Sequence, residues 1–232
     1  MKKRMAVLLL LAMGLILPAT GEVRLTRRIH VNSFYHEGIQ RPERTTTVDI
    51  WVAPARMACL AGPAKIIIDA DRDLLILVND STKTYAQAVL SKPVSASMTP
   101  DDREAMPSHD TRAAVRKTDQ TRTVLGRICR GYTIDLRSNL DHKVTAWVSA
   151  DVPLDLAAYG ILLKKLYVFL GRYDGASTEA LLSVPGYILS EEDVADLKGE
   201  TLRVSKDVIE MSEKTPLPGL FTVPAGTPRG RG

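Results

Sequence analysis

The feature that most limits what this chain can become is the stretch 45–90, TTTVDIWVAPARMACLAGPAKIIIDADRDLLILVNDSTKTYAQAVL. Its turns are so short that the strands on either side must run antiparallel as neighbours. Leu74, Leu75, Ile76, Leu77 and Val78 follow one another with no polar residue between them. An unbroken apolar run between turn signals predicts a strand covered on both faces. The stretch reads as three strands, at 44–53, 65–69 and 74–79, followed at 85–90 by a short helix or a further strand. A sheet apolar on more than one face is the floor of a cradle, covered by helices or filled by an apolar guest.

Around it the pattern is mostly strand. Val23, Leu25, Ile29, Val31 and Tyr35 alternate with Arg24, Thr26, Arg28 and His30, which predicts a half-buried strand before a turn at 37–42. Residues 121–136 and 143–149 read as strands, the first interrupted at Gly126 and Gly131, where bulges or bends are expected. Residues 200–211 alternate as a last strand. Between 91 and 120 the composition turns polar, and Thr99-Pro100 with Asp102 is a helix-start signal inside a solvated excursion. The clearest helix spans 154–170, with Leu156, Tyr159, Leu162, Leu163, Leu166, Tyr167, Phe169 and Leu170, and Gly171 stands at its C-cap. A helix apolar nearly all round is buried or covers something apolar. At ~1.5 Å per residue it is about 25 Å long, enough to lie across the concave face of a sheet.

The first residues do not read as part of that core. Lys2, Lys3 and Arg4 precede an apolar run at 6–17, then Pro18, Ala19, Thr20 and Gly21. That is the order of a secretory signal peptide, too short to span a bilayer as a helix of ~17–25 residues. The expected organisation is a signal peptide at 1–21, one domain at 22–226, and a disordered tail at 227–232 rich in glycine and basic residues. The expected location is periplasmic or secreted, with no stable transmembrane anchor. The formal charge of +4 drops by the three cations Lys2, Lys3 and Arg4 to +1. Balanced charge gives no footprint for nucleic acid, so that partner class is set aside. Export would place Cys59 and Cys129 in an oxidising compartment. Both flank expected strands: a bridge would close a loop of about 70 residues, worth roughly 4 kcal/mol, and two buried thiols are the alternative.

Catalytic and metal signatures are missing from the chain. It has no G-x-S-x-G elbow and no phosphate-binding glycine loop. His30, His36, His109 and His142 form no cluster at zinc-ligand spacing, and no C-x-x-C pair is present. No cofactor, no metal and no enzymatic activity are expected. Trp51, Tyr85, Tyr132 and Trp147 are either core or pocket aromatics.

Several segments together resemble a bacterial exported family known as a domain of unknown function. It is allied in fold to the periplasmic lipoprotein carriers LolA and LolB and to the mycobacterial lipid-binding lipoproteins. The resemblance lies in DIWVAPARM, then IIID and LLILVND, Lys83-Thr84-Tyr85, VLGRICRGYTI, Val144-Thr145-Ala146-Trp147-Val148, and Leu220-Phe221-Thr222-Val223-Pro224-Ala225-Gly226. It covers roughly 23–226 and lacks the lipid-attachment cysteine of some relatives. The resemblance implies an α+β fold, a curved antiparallel half-barrel whose concave face is covered by helices around an apolar cavity.

The expectation is a non-enzymatic periplasmic protein that binds or carries an acyl chain, a lipid or an acylated protein. The candidate lining residues are Val48, Ile50, Val52, Ile66, Ile68, Leu74, Ile76, Val78, Leu162, Leu166 and Phe169. The alternative is an envelope interaction module with a closed core and a protein partner.

Overall fold

The computed structural model describes residues 22–36, 38–94, 111–137, 142–171, 173–197, 199–224 and 226–229. The expected leader, the helix start at Thr99-Pro100, His109, and the turn around Asn139 and Asp141 lie outside them. Among the described residues no helix is long and apolar enough to cross a membrane.

The chain enters in the middle of its own sheet. Strand β1 (Val23–Val31) pairs on one side with β4 (Arg44–Ala53) and on the other with the last strand, β13 (Glu200–Glu213). A small hairpin, β2 (Phe34–His36) with β3 (Ile39–Arg41), stands apart where only a turn is expected from sequence. From β4 the chain steps outward through β5 (Arg56–Ala61), β6 (Ala64–Asp69), β7 (Leu74–Asn79) and β8 (Thr84–Val89), every pair antiparallel. It resumes at the far edge with β9 (Arg112–Val124) and walks back through β10 (Arg127–Arg137), β11 (His142–Ser149) and β12 (Tyr187–Leu197) to β13. The eleven strands form one open sheet in the order β8-β7-β6-β5-β4-β1-β13-β12-β11-β10-β9.

Turn chemistry explains the meander. Asn79 Oδ1 accepts from the Ser81 and Thr82 N–H groups at 3.0 and 3.2 Å, an Asx turn between β7 and β8. Asp69 Oδ1 accepts from Arg72 N–H at 2.9 Å and holds the corner before β7. Leu125 and Gly126, both at positive φ, make a two-residue hairpin loop. Gly126 therefore lies in a turn between two strands, where the sequence predicts a bulge or bend inside one strand at 121–136. Ladder irregularities do occur where β10 passes Gly131, between Thr26 and Arg27, and between Trp147 and Val148.

Among the described residues two helices accompany the sheet. Helix α1 (Leu156–Leu170) starts two residues later than expected, because Asp155 is its cap: its carboxylate accepts from Ala157 and Ala158 N–H. Gly171 closes it at φ 60, its N–H donating to Tyr167 O. Helix α2 (Gly175–Leu182), capped by Asp174, is a helix that periodicity does not announce.

The two faces of the β4–β8 wing bury different things. Ile68 packs with Leu90 and with Leu162 and Phe169 of α1, joined by Leu75, Leu166 and Leu170. On the reverse, Trp51, Ala58, Ile67, Ile76 and Val78 pack beneath Phe221, with Leu220 and Val223 beside it. The run 74–78 thus meets apolar cover on the Leu74, Ile76 and Val78 side and at Leu75 on the other. Leu77 is 43% exposed, so the strand is not covered throughout on both faces as expected. The cover on the reverse is a C-terminal irregular segment.

Candidate functional site

Where the helix pair lies over the sheet it leaves a hollow of about 550 Å³. Its walls are Leu156, Tyr159, Gly160, Leu163 and Tyr167 of α1, Leu181 and Leu182 of α2, and the turn 184–186. The sheet contributes Ile134 of β10, Ile188 and Glu191 of β12, and Arg27 of β1. This volume falls within the range of about 300–1,000 Å³ typical of small-molecule pockets, and the lining has their character: mostly aliphatic and aromatic, with few polar groups.

Gly160 is informative about the hollow. It sits mid-helix, where glycine costs about 1 kcal/mol relative to alanine. A Cβ built there would meet nothing within 4 Å. The helix is locally bare on the side that borders the hollow, although a methyl group would fit. Gly186, by contrast, is required: at φ 138 it brings the turn so close to β11 that a Cβ would lie 2.5 Å from Ser149 O.

The polar content of the hollow centres on Arg27. Its Nη2 donates to Ile188 O at 3.1 Å and to Tyr187 Oη at 3.3 Å, and the guanidinium carbon lies 5.7 Å from the Tyr187 ring centroid. Nε is buried and has no hydrogen-bond partner among the described residues. Burial works against the charge of Arg27, but Tyr187, Glu191, Tyr159 and Cys59 outweigh it and raise the pKa above the ordinary arginine value. The guanidinium is charged at every working pH. Glu191 is itself engaged by Lys206. Tyr159 and Tyr187 stack at 5.1 Å, tilted. Burial pushes both phenols up, and it raises Tyr167 to about 12.

The residues expected to line a cavity lie elsewhere than at this hollow. Val48, Ile50 and Val52 of β4 pair in register with Arg27, Leu25 and Val23, and Val52 belongs to the core that also holds Leu25, Tyr187 and Leu189. Ile68, Leu162, Leu166 and Phe169 form the packed interface between α1 and the β6–β8 wing. Ile66 is 38% exposed. Leu74, Ile76 and Val78 belong to the reverse face beneath Phe221. None of these eleven borders the 550 Å³ hollow. The hollow lies along the same helix, displaced toward α2 and β10–β12. Trp51 and Tyr132 are core residues.

Cys59 and Cys129 are free thiols, and the bridge held open as one alternative is not formed. They sit on β5 and β10, with five strands between them in the sheet order. Burial raises the pKa of both. Among the described residues no group of three or more His, Cys, Asp or Glu side chains could hold a metal ion.

No family model matches this chain. No curated protein matches it either. Among solved structures it is similar to PNGF-II in a P21 crystal form, at 11% identity over 87% of this chain and 30% of that one, with a TM-score of 0.40. The C2 form of PNGF-II gives 10% identity over 88% and 30%, with a TM-score of 0.39. A domain from Vibrio parahaemolyticus, provisionally described as an outer membrane lipoprotein-sorting protein, gives 8% identity, 85% and 87% coverage, and a TM-score of 0.33. This chain spans 30% of the length of PNGF-II. No assignment follows from likeness this faint.

Proposed function

We propose that this protein is a non-enzymatic carrier or binding protein of the periplasm, which takes an apolar ligand into the hollow between the sheet and helices α1 and α2. The observation that supports this most is the 550 Å³ space itself, walled by Leu156, Leu163, Leu181, Val184, Ile188 and Ile134. Moving an acyl chain from water into such a space gains ~0.8 kcal/mol per buried methylene, before the costs of association are subtracted. The ligand class is an acyl chain, free or attached to a lipid or protein.

Gly160 supplies the test. Gly160→Leu is expected to fold, because its Cβ has open space around it, and to fill the hollow from the helix side. Displacement of a fluorescent fatty acid, together with native mass spectrometry of protein recovered from the periplasm, reads the result. Wild type is expected to bind the probe, and Gly160→Leu to lose at least tenfold in affinity. Wild-type protein that is recovered empty and ignores the probe overturns the reading.

A second reading, a docking module for an envelope partner, draws on the outer side of α1. Ile161 and Val168 are 59% and 44% exposed there. With Leu90, Lys164 and Lys165 they border a shallow recess of about 540 Å³. Loss of partner capture in Ile161→Ser, with fatty-acid binding intact, would favour that reading.

A further inference from the structure

Arg27 is out of place in an apolar hollow unless it has something to hold. On β1 it occupies an odd position in the series Val23, Leu25, Ile29, Val31, and it pairs in register with Val48 of β4. An apolar side chain there would complete the lining at no electrostatic cost. A guanidinium half withdrawn from water is expensive unless its charge and its N–H groups are met. Of its three nitrogens only Nη2 has a hydrogen-bond partner among the described residues, and both of those partners are neutral oxygens. Nε is buried and unmet. Among the described residues Arg27 makes no ion pair, because the nearby carboxylate of Glu191 is taken by Lys206.

We infer that the hollow selects amphiphiles with a singly charged carboxylate head, which Arg27 binds while the aliphatic lining takes the chain; this rests on the hollow being a ligand site. Three features converge on it. The cation borders a space large enough for a chain. Its free N–H groups can form charge-assisted hydrogen bonds to a carboxylate, the strongest kind available to arginine. Finally, Arg27 and Lys206 against Glu191 leave one uncompensated positive charge at this end of the hollow. That balance suits a monoanion better than a doubly charged phosphate.

Isothermal titration of wild-type protein with decanoate, decanol and decyltrimethylammonium, each below its micellar concentration, tests this directly, because the three share a chain and differ only in the head. Decanoate is expected to bind at least about tenfold more tightly than decanol, and the ammonium more weakly than either. Added salt should narrow the gap between acid and alcohol without weakening the alcohol. In Arg27→Met the preference for the acid should fall below threefold while decanol binding persists; Arg27→Lys should retain part of the preference. Equal affinity of wild type for decanoate and decanol overturns the role of Arg27 and leaves the cavity reading standing. Failure of all three to bind overturns both. The wild-type comparison stands alone should either variant not fold.

Discussion

At Gly186 the backbone takes φ 138 and passes so near β11 that a methyl group would overlap the Ser149 carbonyl. Neither partner can yield, because both are main chain. Gly186→Ala is therefore expected to cost about 2 kcal/mol or more, read as a lowered urea midpoint with unchanged slope. The tyrosines around the hollow carry a second prediction. Burial keeps Tyr159, Tyr167 and Tyr187 neutral beyond the ordinary phenol range, with Tyr167 raised from 10.0 to about 12. Below pH 10 both folded and unfolded chains hold these protons, so the groups leave stability unchanged. Between pH 10 and about 12 the unfolded chain releases them first, and stability falls as pH rises. Denaturation midpoints at pH 9, 10 and 11 should show a plateau and then a decline, and tyrosinate absorbance should lag behind that of the unfolded chain. Arg27 shows the limit of what was legible at this scale. It interrupts the apolar series 23, 25, 29, 31, a break in the alternation that the sequence reading does not single out. Which of the β1 cations mattered was not legible either, because that depends on Tyr187, Ile188 and Glu191, all more than 150 residues away in sequence.

Helix α1 does two jobs on two faces. One face seals the β6–β8 wing through Leu162 and Phe169, while Tyr159, Gly160, Leu163 and Tyr167 wall the hollow. Leu162 is 1% exposed, and Leu162→Ala should cost about 3–5 kcal/mol by leaving a void against Ile68 and Leu90. Gly160→Ala should do the reverse, adding about 0.5–1 kcal/mol of thermal stability through helix propensity. Both are read in thermal or urea melts. This helix was readable because seventeen residues of apolar pattern end in a glycine cap. Helix α2 was not: Gly175, Ala176, Ser177 and Thr178 carry no apolar stripe, and its seat depends on contacts with β9, such as Ser177 Oγ accepting from Ala113 N–H. Strand β5 escaped for a similar reason. In RMACLA the small residues Ala58 and Ala61 blur the alternation, and the strand is secured by β4 and β6 on either side. The hollow itself depends on α2, since a space bordered by α2 and the turn 184–186 cannot be placed before α2 is known.

Across the whole molecule, stability and ligand occupancy are linked. A ligand that binds only the folded chain raises its stability by about 2.7 kcal/mol at a hundred times its dissociation constant. Wild type titrated with decanoate should therefore show a melting temperature that climbs with ligand concentration, while Gly160→Leu should stay flat. The general architecture, an antiparallel sheet with helical cover, followed from turn spacing and from the apolar runs. Its open form is implied only by the family resemblance, because no turn or apolar run tells whether β8 and β9, successive strands of the chain, pair with each other.

Those two ends are guarded differently. Strand β9 carries Arg112, Arg116, Lys117 and Arg122, whereas β8 reads TYAQAV and has no charge of its own. There the last described residues step in: Tyr85 N–H donates to Pro228 O at 3.1 Å, and Arg229 lies bridged beside Tyr85. The C-terminal stub thus works as a bolt across the one uncharged rim. Molecules clipped after Pro224 would present bare β8 backbone to one another and should stack rim to rim into oligomers, as light scattering would record.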